Sequence, residues 1–303
     1  MIDIILDWDT KIREDFLDYF NIPEYNTLSK DELLMNYFNK FDKLMTQNKK
    51  TVKFSNEIKN SQYYIDYFQI IDRIKRDFEE ANIIKLNNCL SKKSIIAHEQ
   101  DLLLNNWGIH HFHLGENIQN DFYQRTNNLL FVKVESDSVY FLDIKDHDNF
   151  SSIDFLKIIH NNWSHIIKQY KVDNMIDIQP KPNETEIMQL WKIGVQIAVT
   201  FTDTNNKEVA YMPIGGGTTI NNQSLDNALL LTKINRDCCN IEDFLKKNKN
   251  EIQIIIENNI KIDNNIIKFY LRFDTENNYF YLTESKSGLA FSWNNDKLIQ
   301  IEQ

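Results

Sequence analysis

The stretch WGIHHFHLG, residues 107–115, is the point at which the chain changes period. Upstream of it, apolar residues recur at three- and four-residue spacing. Within it they alternate, and in an extended segment alternate residues share a face. His110, Phe112 and Leu114 are thus expected on one side of a strand, and Ile109, His111 and His113 on the other. The same stretch holds three of the chain's seven histidines and two of its seven glycines.

The first hundred residues read as helical. Ser29, Lys30, Asp31 and Glu32 form a capping box, with the Ser accepting from a first-turn amide and the Glu reaching back. Leu33, Leu34, Tyr37, Phe38, Phe41, Leu44 and Met45 follow at helical spacing. A second helix is expected over 61–81, with Tyr64, Tyr67, Phe68, Ile71, Ile74 and Phe78 on one side. Downstream, NLLFVKV (128–134) and SVYFLDI (138–144) are β-rich runs joined by Glu135, Ser136 and Asp137, a hairpin signature. Ser151 or Ser152 is expected to cap a helix through Tyr170, with a stripe of Leu156, Ile159, Trp163, Ile166, Ile167 and Tyr170. Residues 177–186 hold two of the four prolines and read as a linker. A hairpin over 192–201 and 208–214, helices over 224–234 and 241–258, and a terminal hairpin over 266–273 and 279–283 complete the pattern. The expected class is α+β in three parts: a helical N-terminal region (1–97), a small His-rich module of antiparallel sheet plus helix (98–178) and a C-terminal α+β domain (179–303).

Composition narrows the function classes. A hydrophobic content of 42% with 12% aromatics is that of a globular chain. Cys89, Cys238 and Cys239 are an odd set without metal-ligand spacing, so a disulfide framework is not expected and a reducing cytoplasm is. The start, MIDIILDWDT, is acidic where a secretory leader would be basic, and no apolar run reaches the length of a membrane span. Net charge is -10, distributed unevenly: -1 over 1–97 (15 basic, 16 acidic), -6 over 98–165 (4 and 10) and -3 over 166–303 (15 and 18). All seven histidines fall in the middle, most acidic segment, so the chemistry is expected there.

His111 and His113 on one strand face satisfy the geometry of an H-x-H metal pair, which Glu116, Asp143, Asp146 or His147 would complete. A metal-dependent hydrolase is one reading of that set. Metal-free RNA cleavage is the other: it needs a base for the 2′-OH proton, an acid for the departing oxygen and a cation for the phosphorane. Imidazoles titrate near neutrality, and arginine is a permanently charged phosphate partner. Arg125 is the only arginine between Arg76 and Arg236. His111 and His113 are therefore proton-transfer candidates, Arg125 the phosphate or transition-state partner, and His147 the second acid or base. No cofactor is expected, and RNA is the expected partner.

A histidine strand, an arginine ahead of LLFV, and VYFLDI ending in an acidic loop with a histidine together resemble the small sheets of RelE-like bacterial toxin ribonucleases, in the wider barnase/RelE-like superfamily. The resemblance spans about residues 104–170. It implies His111 or His113, Arg125 and His147 as active-site residues, and a role as a toxin or phage-defence (abortive-infection) effector, restrained by an antitoxin or by the flanking regions.

Alternative readings attach to the remaining residues. His110 and His160 are expected to be structural, and His98 and His165 to lie on the surface. If the other histidines are also structural, the chain is a non-enzymatic interaction or regulatory protein. Phosphate affinity rests on Lys and Arg, and the middle segment has few, so Lys49, Lys50 and Lys53, or Lys92 and Lys93, are the nearest basic clusters to supply an RNA surface. Gly215, Gly216 and Gly217 lack the lysine of a phosphate loop and mark a place where backbone passes close to something.

Overall fold

The computed structural model describes residues 3–90, 98–173, 179–262, 265–294 and 297–301. Along the chain run β1 (Asp3–Asp7), α1 (Thr10–Phe20), α2 (Lys30–Lys43), β2 (Thr51–Phe54), α3 (Asn56–Lys59), α4 (Gln62–Asp66), α5 (Phe68–Glu80), α6 (Ile83–Asn88) and α7 (Leu102–Trp107). Then come β3 (Ile109–His113), β4 (Ile118–Gln119), β5 (Phe122–Tyr123), β6 (Asn128–Val134), β7 (Ser138–Asp146), α8 (Asp154–Trp163), α9 (Glu184–Lys192), β8 (Val199–Thr202) and β9 (Glu208–Tyr211). The last elements are α10 (Leu225–Lys247), α11 (Lys249–Glu257), β10 (Ile266–Asp274), β11 (Tyr279–Glu284), β12 (Ala290–Asn294) and β13 (Lys297–Ile301). The architecture is α+β. No helix among the described residues is long and apolar enough to cross a membrane. The fold divides into two compact units, 1–37 with 229–303, and 38–228. Residues 98 and 179, expected as domain edges, both lie inside the second unit.

The first unit is a five-stranded sheet ordered β1-β10-β11-β12-β13, antiparallel except for the parallel pair β1 and β10. α1 lies on β10, where Phe16 stacks on Phe273 at 4.9 Å. Both Asp15 oxygens accept from the Arg272 guanidinium, and one also accepts from the Phe273 amide. The capping box forms as expected: Glu32 N donates to Ser29 Oγ at 3.3 Å and Ser29 N to Glu32 Oε2 at 2.8 Å. The N-terminal region is not helical throughout, because β1 and β2 are strands. Each is at most five residues long and takes its pairing from a distant partner. The break between the two expected helices also moves: α10 runs unbroken through 235–240, and the interruption falls at Asn248, ahead of α11.

The second unit is built on a four-stranded sheet ordered β2-β7-β6-β3. The expected hairpin is β6 and β7, β3 adds antiparallel to β6, and β2 adds parallel to β7, so the sheet is mixed. One face packs on α5 through Phe112, Leu130, Val132 and Phe141. The other packs on α8 through Ile109, Leu129, Phe131 and Leu142 against Phe155, Leu156 and Ile159. A register shift between Phe131 and Val132 interrupts the β6–β7 ladder. α8 does not begin on a serine cap. Its Ile153 amide donates instead to Glu184 Oε1 at 2.9 Å, and Ser151 donates to the Glu184 carbonyl. Lys192, expected to open a strand, ends α9, which starts in a capping box of Asn183 and Glu186. Residues 177 and 178 of the expected linker lie outside the described residues.

The three glycines are explained by α7. Gly215 N and Gly217 N donate to the Asn106 and Asn105 carbonyls at 2.8 Å each, and Gly216 N donates to Pro213 at 3.2 Å. All three amides are therefore occupied, which leaves no phosphate cradle. At φ of 90° and 104°, Gly216 and Gly217 adopt backbone that other residues avoid. A Cβ on Gly215 would stand 2.6 Å from the Leu104 carbonyl oxygen. Gly215→Ala is expected to lower unfolding free energy by about 1–3 kcal/mol, the usual cost of overpacking. Urea unfolding measures it, and an unchanged midpoint would show that the loop has room.

Candidate functional site

β3 pairs His111 with Phe131 and His113 with Leu129, so both imidazoles lie on the α8 face, as the alternation predicts. His110 points to the opposite face and is half-buried. The end of β3 is secured by Thr126. Its hydroxyl accepts from Leu114 N at 2.9 Å and donates to the Asn128 carbonyl at 2.6 Å, while its amide donates to His113 Nδ1 at 3.2 Å. A ring nitrogen that accepts carries no proton, so the His113 proton sits on Nε2. That Nε2–H is buried without a hydrogen-bond partner among the described residues. An unmatched buried donor costs about 1–3 kcal/mol, which a ligand oxygen would offset.

His111 faces a carboxylate that sequence reading missed. Its Nδ1 lies 3.7 Å from Asp101 Oδ2, while Asp101 Oδ1 accepts from Leu104 N as the N-cap of α7. One aspartate thus starts a helix and faces an imidazole, whose buried Nδ1 has no hydrogen-bond partner among the described residues. On the other side the ring packs edge-on against Phe150 at 5.0 Å. His147 enters from the turn after β7, which Asp146 holds by accepting from Asp148 N at 3.1 Å. Its ring centroid is 5.6 Å from His113 and 5.8 Å from Phe150. Arg125, on the loop before Thr126, is exposed, has no ion-pair partner among the described residues, and its charge reaches both His111 and His113. The four residues singled out from sequence are thus brought together from β3, the β5–β6 loop and the turn after β7.

Burial governs the protonation states. It pushes His113 down to about 4, helped by His111, His147 and Arg125. It also lowers His111, against the opposing pull of Asp101, and lowers His110 to about 4. His111 and His113 are therefore neutral at pH 7. His147 remains half-buried, with access from the surface.

Other candidates stand elsewhere. Glu116 is exposed in a cleft beside α5. Asp143 accepts from its neighbour Ile144 N, and its charged surroundings are Lys145, Glu57 and Asp154. Among the described residues no three His, Cys, Asp or Glu side chains are placed to hold a metal ion, so the alternative set of His111, His113, Glu116, Asp143 and His147 is not assembled. His160 is structural: Nδ1 lies 2.8 Å from the Tyr211 hydroxyl and Nε2 3.7 Å from Asp203, tying α8 to the β8–β9 hairpin. His165 is exposed. Lys50 is buried, donating to the carbonyls of Glu135 and Ser136, and Lys53 lies over the Tyr140 ring, so neither offers a free phosphate contact. Lys92 and Lys93 lie outside the described residues.

Compared with family models, with curated proteins and with solved structures, the chain matches none.

Two measurements check this geometry. Asp101→Asn keeps the cap oxygen but removes the charge that favours protonated His111, so the His111 pKa read by NMR should fall further. No movement would mean that the 3.7 Å approach carries no interaction. The second is pH-dependent. Between pH 6.5 and about 4 the unfolded chain binds a proton that folded His113 refuses. Stability should therefore fall as the pH falls through that window, by up to about 3 kcal/mol. His113→Asn should flatten the dependence, and an identical pH profile in the variant would contradict a neutral buried His113.

Proposed function

We propose that the second unit is a metal-independent endoribonuclease. The observation that supports this reading is the convergence of His111, His113, His147 and the unpaired Arg125 at the end of one sheet face. Structural histidines alone would not call for a lone exposed guanidinium beside them.

In this reading Arg125 binds the scissile phosphate, which its planar donors fit in a bidentate manner. His111, neutral and facing Asp101, takes the 2′-OH proton. The imidazolium so formed is stabilised by the carboxylate, the role a buried aspartate plays toward a catalytic histidine. His147, reachable from the surface, donates to the departing 5′-oxygen. His113 is the fixed member: its Nδ1 is committed to Thr126, and its Nε2–H is available to a phosphoryl oxygen as charge develops. Proton transfer thus falls to His111 and His147 rather than to His113. The RelE-like resemblance of the same segment agrees with this chemistry and carries with it the toxin or phage-defence role.

Digestion of total RNA in EDTA tests the reading. Wild type should cleave with the metal chelated, and Arg125→Ala and His147→Ala should each lose about 100-fold or more in rate, the usual range for a general acid or a charge-stabilising donor, with unchanged melting temperature. Cleavage that needs added metal, or that persists in both variants, would overturn it.

A further inference from the structure

Beside α5 the second unit has an open cleft of about 490 Å³ that the catalytic reading leaves unused; its walls include Phe68, Gln69, Asp72, Arg73, Arg76 and Glu116. The volume lies in the range of sites for nucleotide-sized ligands, roughly 300–1,000 Å³. Phe68 begins the apolar series of α5 yet is 52% exposed, and the buried positions of that helix start at Ile70. Arg73 is fixed: its guanidinium lies 3.8 Å from the Tyr123 ring centroid and its Nη2 donates to the Gly115 carbonyl at 3.2 Å. Its Nε is buried with no partner among the described residues. Arg76 is exposed, paired only along its own helix with Asp72 at 3.2 Å. Such an exposed pair is weak, so Arg76 can exchange it for a phosphate.

A short path leads from this cleft to the imidazoles. Gly115, held by Arg73, follows Leu114, whose amide donates to Thr126, and the Thr126 amide donates to His113. The lining is mixed in charge, which disfavours a simple phosphate track. It fits a whole nucleotide, which combines an anion, a π-face and a base edge bearing N–H donors. Splayed bases of single-stranded RNA are held in this way, stacked on an aromatic ring and hydrogen-bonded along their edges.

We propose that the cleft is a nucleotide subsite for single-stranded RNA: one base stacks on Phe68, its N–H edge meets Glu116 and Gln69, and its phosphate pairs with Arg76. The proposal rests on the ribonuclease reading, and direct binding separates the two. A labelled single-stranded octaribonucleotide is titrated in EDTA into full-length His147→Ala protein and into the same protein carrying Phe68→Ala, Phe68→Tyr or Arg76→Ala. Phe68→Ala should weaken binding roughly fivefold or more, the loss of one stacked base, and Phe68→Tyr should restore it. Arg76→Ala should weaken binding and reduce the slope of log affinity against log salt by about one. Unchanged affinity in both Phe68→Ala and Arg76→Ala, with wild-type cleavage still lost in Arg125→Ala, would overturn the subsite and leave the ribonuclease standing. Weakened binding in a protein whose wild type never cleaves RNA would support the nucleotide site and discard the ribonuclease. Absence of octamer binding would overturn the subsite.

Discussion

Pairing of β3 with β6 is the constraint on which the second unit depends. It sets the parity of the histidine strand, and a one-residue slip would send His111 and His113 to the α5 face and Phe112 to the other. The register is held from both ends. Ile109 enters the α8 core, and Thr126 stitches Leu114, Asn128 and His113 together. Everything attributed to the imidazoles follows from that register: their neutrality, the orphan Nε2–H and the approach to Asp101.

What could be read from the chain was what local pattern encodes. The capping box at Ser29, the β6–β7 hairpin, the amphipathic face of α8 and the alternation of WGIHHFHLG are all expressed within a few residues of themselves. The misses share a physical cause. β1 and β2 are too short to show a period, and each becomes a strand by pairing in parallel with a segment far along the chain. The N-terminus of α8 looked like a serine cap, but its amide found a glutamate on another helix. At the site, His111, His113, Arg125 and His147 were visible as unusual residues in an acidic, arginine-poor segment. Asp101 was not, since a single aspartate ahead of an apolar run reads as a helix cap, which it also is. Thr126 carried no signal at all, because its role lies in three hydrogen bonds to backbone and ring.

Charge is handled locally in this protein. The middle segment is strongly acidic, yet Arg125 pairs with no carboxylate among the described residues, and its charge reaches His111 and His113. Burying Lys50 against hairpin carbonyls and laying Lys53 on Tyr140 removes two cations that would compete for an anion elsewhere on the sheet. Arg125 is left as an exposed guanidinium with no ion-pair partner among the described residues.

The contact between the triple glycine and α7 has a consequence for how the site comes into being. α7 is capped by Asp101, which faces His111, and ends on carbonyls that bond to Gly215 and Gly217. Those partners are synthesised long after the histidine strand itself has left the ribosome. A nascent chain stopped between His147 and Gly215 carries the imidazoles of the site and Arg125, but not the brace that holds the helix of Asp101. Maturation of the site is thereby deferred until most of the polypeptide exists, and a prematurely terminated product lacks a finished centre.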